Sequence, residues 1–224
     1  MEHVVADETF APFLREWVAG ESEPGTGSEP DPWEFDYKRG TFWRWVRSVP
    51  GGDAVPGACD EQSLRVEYRP LPTQPTVPDI VGLQALTAGL LEGLVVADHP
   101  LADLAWQAAE RSFYAAVESG PDADLAWVDA DGERTSDSDV VFAELFEYAR
   151  RGLESRGVPP ATRDRYLAPL EARWEARTSP SVWKKDRVLA HLDDGHELPD
   201  ALAAMQREYV DLSREHDSFA DWLD

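Results

Sequence analysis

The chain has 224 residues, enough for one large domain or two small ones and for a sizeable buried core. Its 44 acidic residues against 21 basic ones give a formal net charge of -23, which disfavours nucleic acid and anionic membranes as partners. A disordered acidic chain fits poorly with a composition that is 42% hydrophobic and 10% aromatic.

In chain order, TFAPFLREWVA (9–19) predicts a short helix with Thr9 as N-cap and Phe10, Phe13, Leu14 and Trp17 on one face. GESEPGTGSEPDP (20–32) reads as a flexible acidic loop. Aromatic residues then return in WEFDYKRGTFWRWVRSV (33–49), where Tyr37, Trp43 and Trp45 alternate with polar residues around Gly40, as in extended structure with a hairpin-like bend. A second loop, 50–62, leads to a charged strand at 63–70, in which Arg65, Glu67 and Arg69 share one face by the two-residue period.

At Thr76 the period changes. Thr76 and Asp79 resemble a capping box, Pro78 sits near the first turn, and apolar residues recur at three- and four-residue steps from Ile80 to Leu94. This predicts an amphipathic helix over 78–97. Further helices are predicted at 101–118, 138–155, 161–176, 180–193 and 199–215, with a short terminal turn. Between the first two, 124–136 reads as a small hairpin turning at Asp131-Gly132. The fold class is therefore α+β, with a strand-bearing part over 1–100 and a helical part over 101–224. The strands are too few to close a sheet, and an unpaired edge implies a partner in cis or in trans.

The carboxylate-rich composition has only three lysines, Lys38, Lys184 and Lys185, which is the pattern of a halophilic protein. Its self-repulsion would be screened over about 3 Å in molar salt. A single cysteine, Cys59, excludes an internal disulfide and a cysteine-based metal site. With no apparent leader and no apolar run near the ~18 residues of a membrane span, the sequence implies a soluble, cytoplasmic protein.

For chemistry, the strand face offers a carboxylate for a hard divalent cation, with guanidinium groups for phosphate or carboxylate oxygens. On spacing alone the same pattern also describes a solvated strand face with cross-strand ion pairs. Arg44 and Arg47, set among Phe42, Trp43 and Trp45, fit either an anion site backed by indole faces or an aromatic core strand with its arginines outward. The histidines, including His99, His191 and His196, are too scattered for a metal site, and no phosphate-cradling or zinc-protease motif is present.

GTFWRWVRSVPGG (40–52) followed by SLRVEYRPLPTQPTVPDIVGLQALTAGLLEGL (63–94) resembles the C-terminal half of the carboxylate–amine ligase family. That family includes the type 2 glutamate–cysteine ligases and shares its fold with glutamine synthetase. The helical segments DADLAWVDADGE, FAELFEYARRGLESRGV and EARWEARTSPSVWKKDRV are similar in kind to the C-terminal helices of haloarchaeal members, so the resemblance spans about 4–223.

It implies a partial antiparallel sheet of a glutamine synthetase-like catalytic domain followed by a helical C-terminal region. It also implies an enzyme that uses ATP and Mg2+ to form an amide through an acyl phosphate. The family's last catalytic strand carries a metal-binding Glu and, two residues on, an anion-binding Arg, which match Glu67 and Arg69. By the same resemblance Arg69 is catalytic; the strand face adds Arg65, and the aromatic-flanked segment adds Arg44 and Arg47, as candidates to hold substrate or phosphate beside it.

The family's remaining metal ligands and nucleotide contacts lie in an N-terminal half, so a separately encoded half, or a homo-oligomer, is the implied partner. The comparable helix here, AAERSFYAAVESG (108–120), departs from the family's Glu-Asn-Arg-aromatic run. A non-catalytic interaction or scaffold protein is the alternative reading.

Overall fold

The computed structural model describes residues 46–50, 64–69 and 71–223. The chain divides into two compact units, Met1–Leu71 and Pro72–Asp224. The predicted helix at 9–19, the loop at 20–32 and Arg44 lie outside the described residues.

In the first unit, strands β1 (Val46–Pro50) and β2 (Leu64–Tyr68) pair antiparallel, with Arg47 across from Glu67 and Val49 across from Arg65.

The second unit is helical apart from one small ladder. Its helices are α1 (Val77–Ala97), α2 (Trp106–Ser119), α3 (Ser138–Ser155), α4 (Pro160–Glu175), α5 (Pro180–Asp193) and α6 (Leu198–Glu215). A 3-10 turn at Phe219–Trp222 ends the described chain. Each helix predicted for this unit is present: α3 and α5 have the predicted bounds, the ends of α1, α4 and α6 move by at most one residue, and the largest shift is at the start of α2. There a separate 3-10 turn, Pro100–Asp103, precedes the helix, because Pro100 starts a turn that Leu104 closes in extended backbone. The α+β class holds at this coarse level.

The predicted hairpin is present as β3 (Trp127–Val128) and β4 (Arg134–Thr135). Asp129 builds its turn. Its Oδ1 accepts from the N–H groups of Asp131 (3.0 Å) and Glu133 (2.9 Å), while Gly132 takes φ 84°, a left-handed conformation natural to glycine.

Helix α1 differs from its expected amphipathic form. Its buried positions are Asp79, Gly82, Gly89 and Gly93, whereas Ile80, Leu91, Val95 and Val96 are exposed. The apolar residues run all round the helix, and the packed seam is made of glycines. A Cβ at Gly93 would run into the Tyr148 carbonyl, and one at Gly152 of α3 into the Gly89 carbonyl, so α1 and α3 meet backbone to backbone. At 21 residues and mean hydropathy 1.8, α1 is also long and apolar enough to cross a membrane by length and composition. The expectation that no apolar run approaches that length is thus corrected. Within the helix the apolar residues are interrupted by Gln84, Thr87, Glu92 and three glycines.

The core joins Val141, Phe146 and Ala149 of α3 with Leu167 and Leu170 of α4 and Phe219 of the terminal turn. Phe142 stacks on Trp174 with ring centroids 3.6 Å apart, and the Arg177 guanidinium lies 3.5 Å above the same indole. Helices α5 and α6 pair through Trp183 and Tyr209, and Trp222 packs edge-on against both rings.

Candidate functional site

Alternation along β2 sets Glu67 and Arg69 side by side, and their side chains form an ion pair, each about one-third exposed. Arg47 stands across the ladder from Glu67, and Arg65 lies on β2 two residues before it. Four of the five arginine and glutamate positions singled out in the sequence therefore lie on one hairpin. The fifth, Arg44, lies outside the described residues.

The chemistry available to this hairpin follows from the pair. A carboxylate holding a guanidinium presents an anion-binding face only when the pair opens or when the arginine shares its donors, and guanidinium has donors to share. Glu67 supplies one carboxylate. Among the described residues no group of three or more His, Cys, Asp or Glu side chains is placed to hold a metal ion. One carboxylate is part of such a site, since Mg2+ is commonly held through one or two carboxylates with waters and phosphate oxygens completing about six ligands.

The second unit holds a polar cluster that the sequence disclosed only in part. Thr76 caps α1, its Oγ1 accepting from the Asp79 N–H at 3.2 Å and donating to Asp79 Oδ2 at 2.8 Å. The Asp79 side chain is fully buried. Its Oδ1 is ion-paired with Arg173 of α4, and the backbone N–H of Phe219 donates to both carboxylate oxygens at 3.1 and 3.3 Å. Arg173 Nη1 in turn donates to Gln74 Oε1 at 2.8 Å, and the guanidinium sits 5.0 Å from the Phe219 ring centroid.

Burial lowers the Arg173 pKa from its ordinary value, against the raising influence of Asp79. With its oxygens taken by a hydroxyl, a guanidinium and a backbone N–H, Asp79 is committed to holding three segments together. It is a structural tie. The capping box expected from Thr76 and Asp79 is realised on the Thr76 side, while the carboxylate reaches out to α4 and the terminal turn. Arg173 was missed, although a signal existed. It falls three residues after Leu170 and six after Leu167, on the buried face of α4.

His99, His191 and His196 make local contacts. His99 is fully buried, its Nδ1 accepting from the Leu101 N–H at 3.1 Å, with Tyr148 edge-on at 4.7 Å. Its Nε2 points towards Glu144 at 3.5 Å. The Glu144 carboxylate is already occupied by the Trp127 indole N–H (2.7 Å) and the Ala130 N–H (3.1 Å). His196 Nδ1 lies 3.0 Å from the His191 carbonyl, closing the end of α5.

Comparison with protein-family models, with curated proteins and with solved structures finds no match to this chain.

Proposed function

We propose that this chain is the C-terminal portion of an ATP-dependent carboxylate–amine ligase of the glutamate–cysteine ligase type. The part carrying β1 and β2 would belong to a glutamine synthetase-like sheet, in a cytoplasm of high salt. The observation that supports this reading is the β1–β2 hairpin, which sets Arg47 across from Glu67 and brings Glu67 and Arg69 together.

In this reading Arg69, with Arg65, Arg47 and Arg44, binds and orients anionic oxygens of the substrate carboxylate and of phosphate, and offsets the charge that develops on them. Glu67 holds Arg69 in place, and is one carboxylate of an Mg2+ site whose other ligands come from an N-terminal portion. Bound Mg2+ and ATP would supply activation of the carboxylate for attack by an amine.

The test is phosphate release at high salt by the chain combined with the family's N-terminal portion. Release is expected only when glutamate and an amine are both present, and its loss is expected in Arg69→Ala and Glu67→Ala. No release in any combination overturns the ligase reading.

A second reading, a non-catalytic interaction protein, is favoured by the apolar residues that α1 leaves exposed, with Val95 78% and Leu91 56% exposed. It predicts concentration-dependent assembly in light scattering that Val95→Asp abolishes. A monomer at all concentrations counts against it.

A further inference from the structure

Helix α2 and the β3–β4 ladder enclose a groove of about 550 Å³ in the second unit. Two arginines line it, Arg111 from α2 and Arg134 from β4, and both are exposed. Most of the other described arginines are ion-paired with a carboxylate. Among the described residues, Arg111 and Arg134 have no such partner, and neither do Arg151, Arg165 and Arg207, but Arg111 and Arg134 line the same groove. In a chain where 44 acidic residues face 21 basic ones, two unpaired guanidinium groups lining one groove need a reason. Asp124 lines the groove as well, so its charged side chains sum to one net positive charge within a strongly negative protein.

The walls are fixed by hydrogen bonds that leave the guanidinium groups uncommitted. Ser112 Oγ donates to the Ala108 carbonyl at 3.0 Å and accepts from the Ala126 N–H at 2.8 Å, tying α2 to the segment that enters β3. Thr135 Oγ1 accepts from the Asp137 N–H at 3.1 Å, and the buried Trp127 ring is held by its bond to Glu144. A ligand entering here would not have to order the walls. Ala108, Ala115 and Trp127 add apolar surface beneath the arginines.

We propose that this groove binds a small organic anion, with a carboxylate or phosphate head held by Arg111 and Arg134 and an apolar body against Trp127. Guanidinium donors match both heads in geometry, and both form charge-assisted hydrogen bonds. The site rests on the second unit alone and is independent of the ligase reading.

Isothermal titration with benzoate and with phenyl phosphate, at constant ionic strength set by sodium chloride, tests it and tells the two heads apart. Saturable binding of at least one probe is expected. It should weaken about tenfold or more in Arg111→Gln and in Arg134→Gln, the loss of one charge-assisted contact each. Asp124→Asn should tighten it by removing the opposing charge. Among the described residues neither arginine side chain makes a hydrogen bond or ion pair, so the variants should keep the parent melting temperature. The proposal is overturned by absence of saturation with both probes, or by unchanged binding in the double variant. Equal weakening by Arg207→Gln, an exposed arginine outside the groove, also overturns it, because that result indicates diffuse attraction.

Discussion

Arg173 on α4 and Asp79 at the start of α1 form a buried ion pair across 94 residues of sequence, with the Phe219 backbone N–H completing the carboxylate's partners. Removing one member strands the other without water. Asp79→Ala and Arg173→Ala should each cost about 3–5 kcal/mol in urea unfolding. The double replacement Asp79→Leu with Arg173→Met should cost much less than the two single losses added, since no buried charge is left unpaired. Single losses below about 1 kcal/mol would mean that water reaches the pair.

The glycine seam makes a second prediction. Alanine favours a helix over glycine by about 1 kcal/mol, but Gly93→Ala and Gly152→Ala drive a methyl group into a facing carbonyl. Overpacking should win, with a net loss of about 2 kcal/mol or more read from the unfolding midpoint. A gain in stability would show that α1 and α3 stand further apart.

Alkaline pH gives a third. Burial, and then the Asp79 charge, raise the Tyr209 pKa, while burial, and then Glu144, raise that of Tyr148. Phenols with raised native values stay protonated where the unfolded chain begins to ionise near about pH 10. Their contribution is therefore complete below that pH and is lost as pH rises through the native values. Tyr209→Phe and Tyr148→Phe should flatten this alkaline loss in urea midpoints measured across it. An unchanged slope in both variants would refute the assignment.

Salt provides the fourth. A net charge of -23 repels itself more strongly as screening weakens, so the melting temperature should climb with sodium chloride towards molar concentrations. A melting temperature indifferent to salt would remove the halophilic reading.

The sequence by itself determined the local elements of the second unit, because their signals are local. Ser179 and Pro180 open α5, Thr76 caps α1, and Asp131-Gly132 turns the hairpin, each through contacts within a few residues. The pairing of Glu67 with Arg69 was within reach too, since period two sets them together. Only the tertiary structure decided which face of α1 is buried. Leucines at helical spacing pointed to a leucine face, whereas backbone contact with α3 demands glycine. It also decided that Arg173 is internal, because a guanidinium is buried only where distant residues, here Gln74 and Asp79, supply its partners. The groove of Arg111 and Arg134 depends on the same kind of fact. These arginines are 23 positions apart, and no period in the chain reports that two separate elements converge on one hollow.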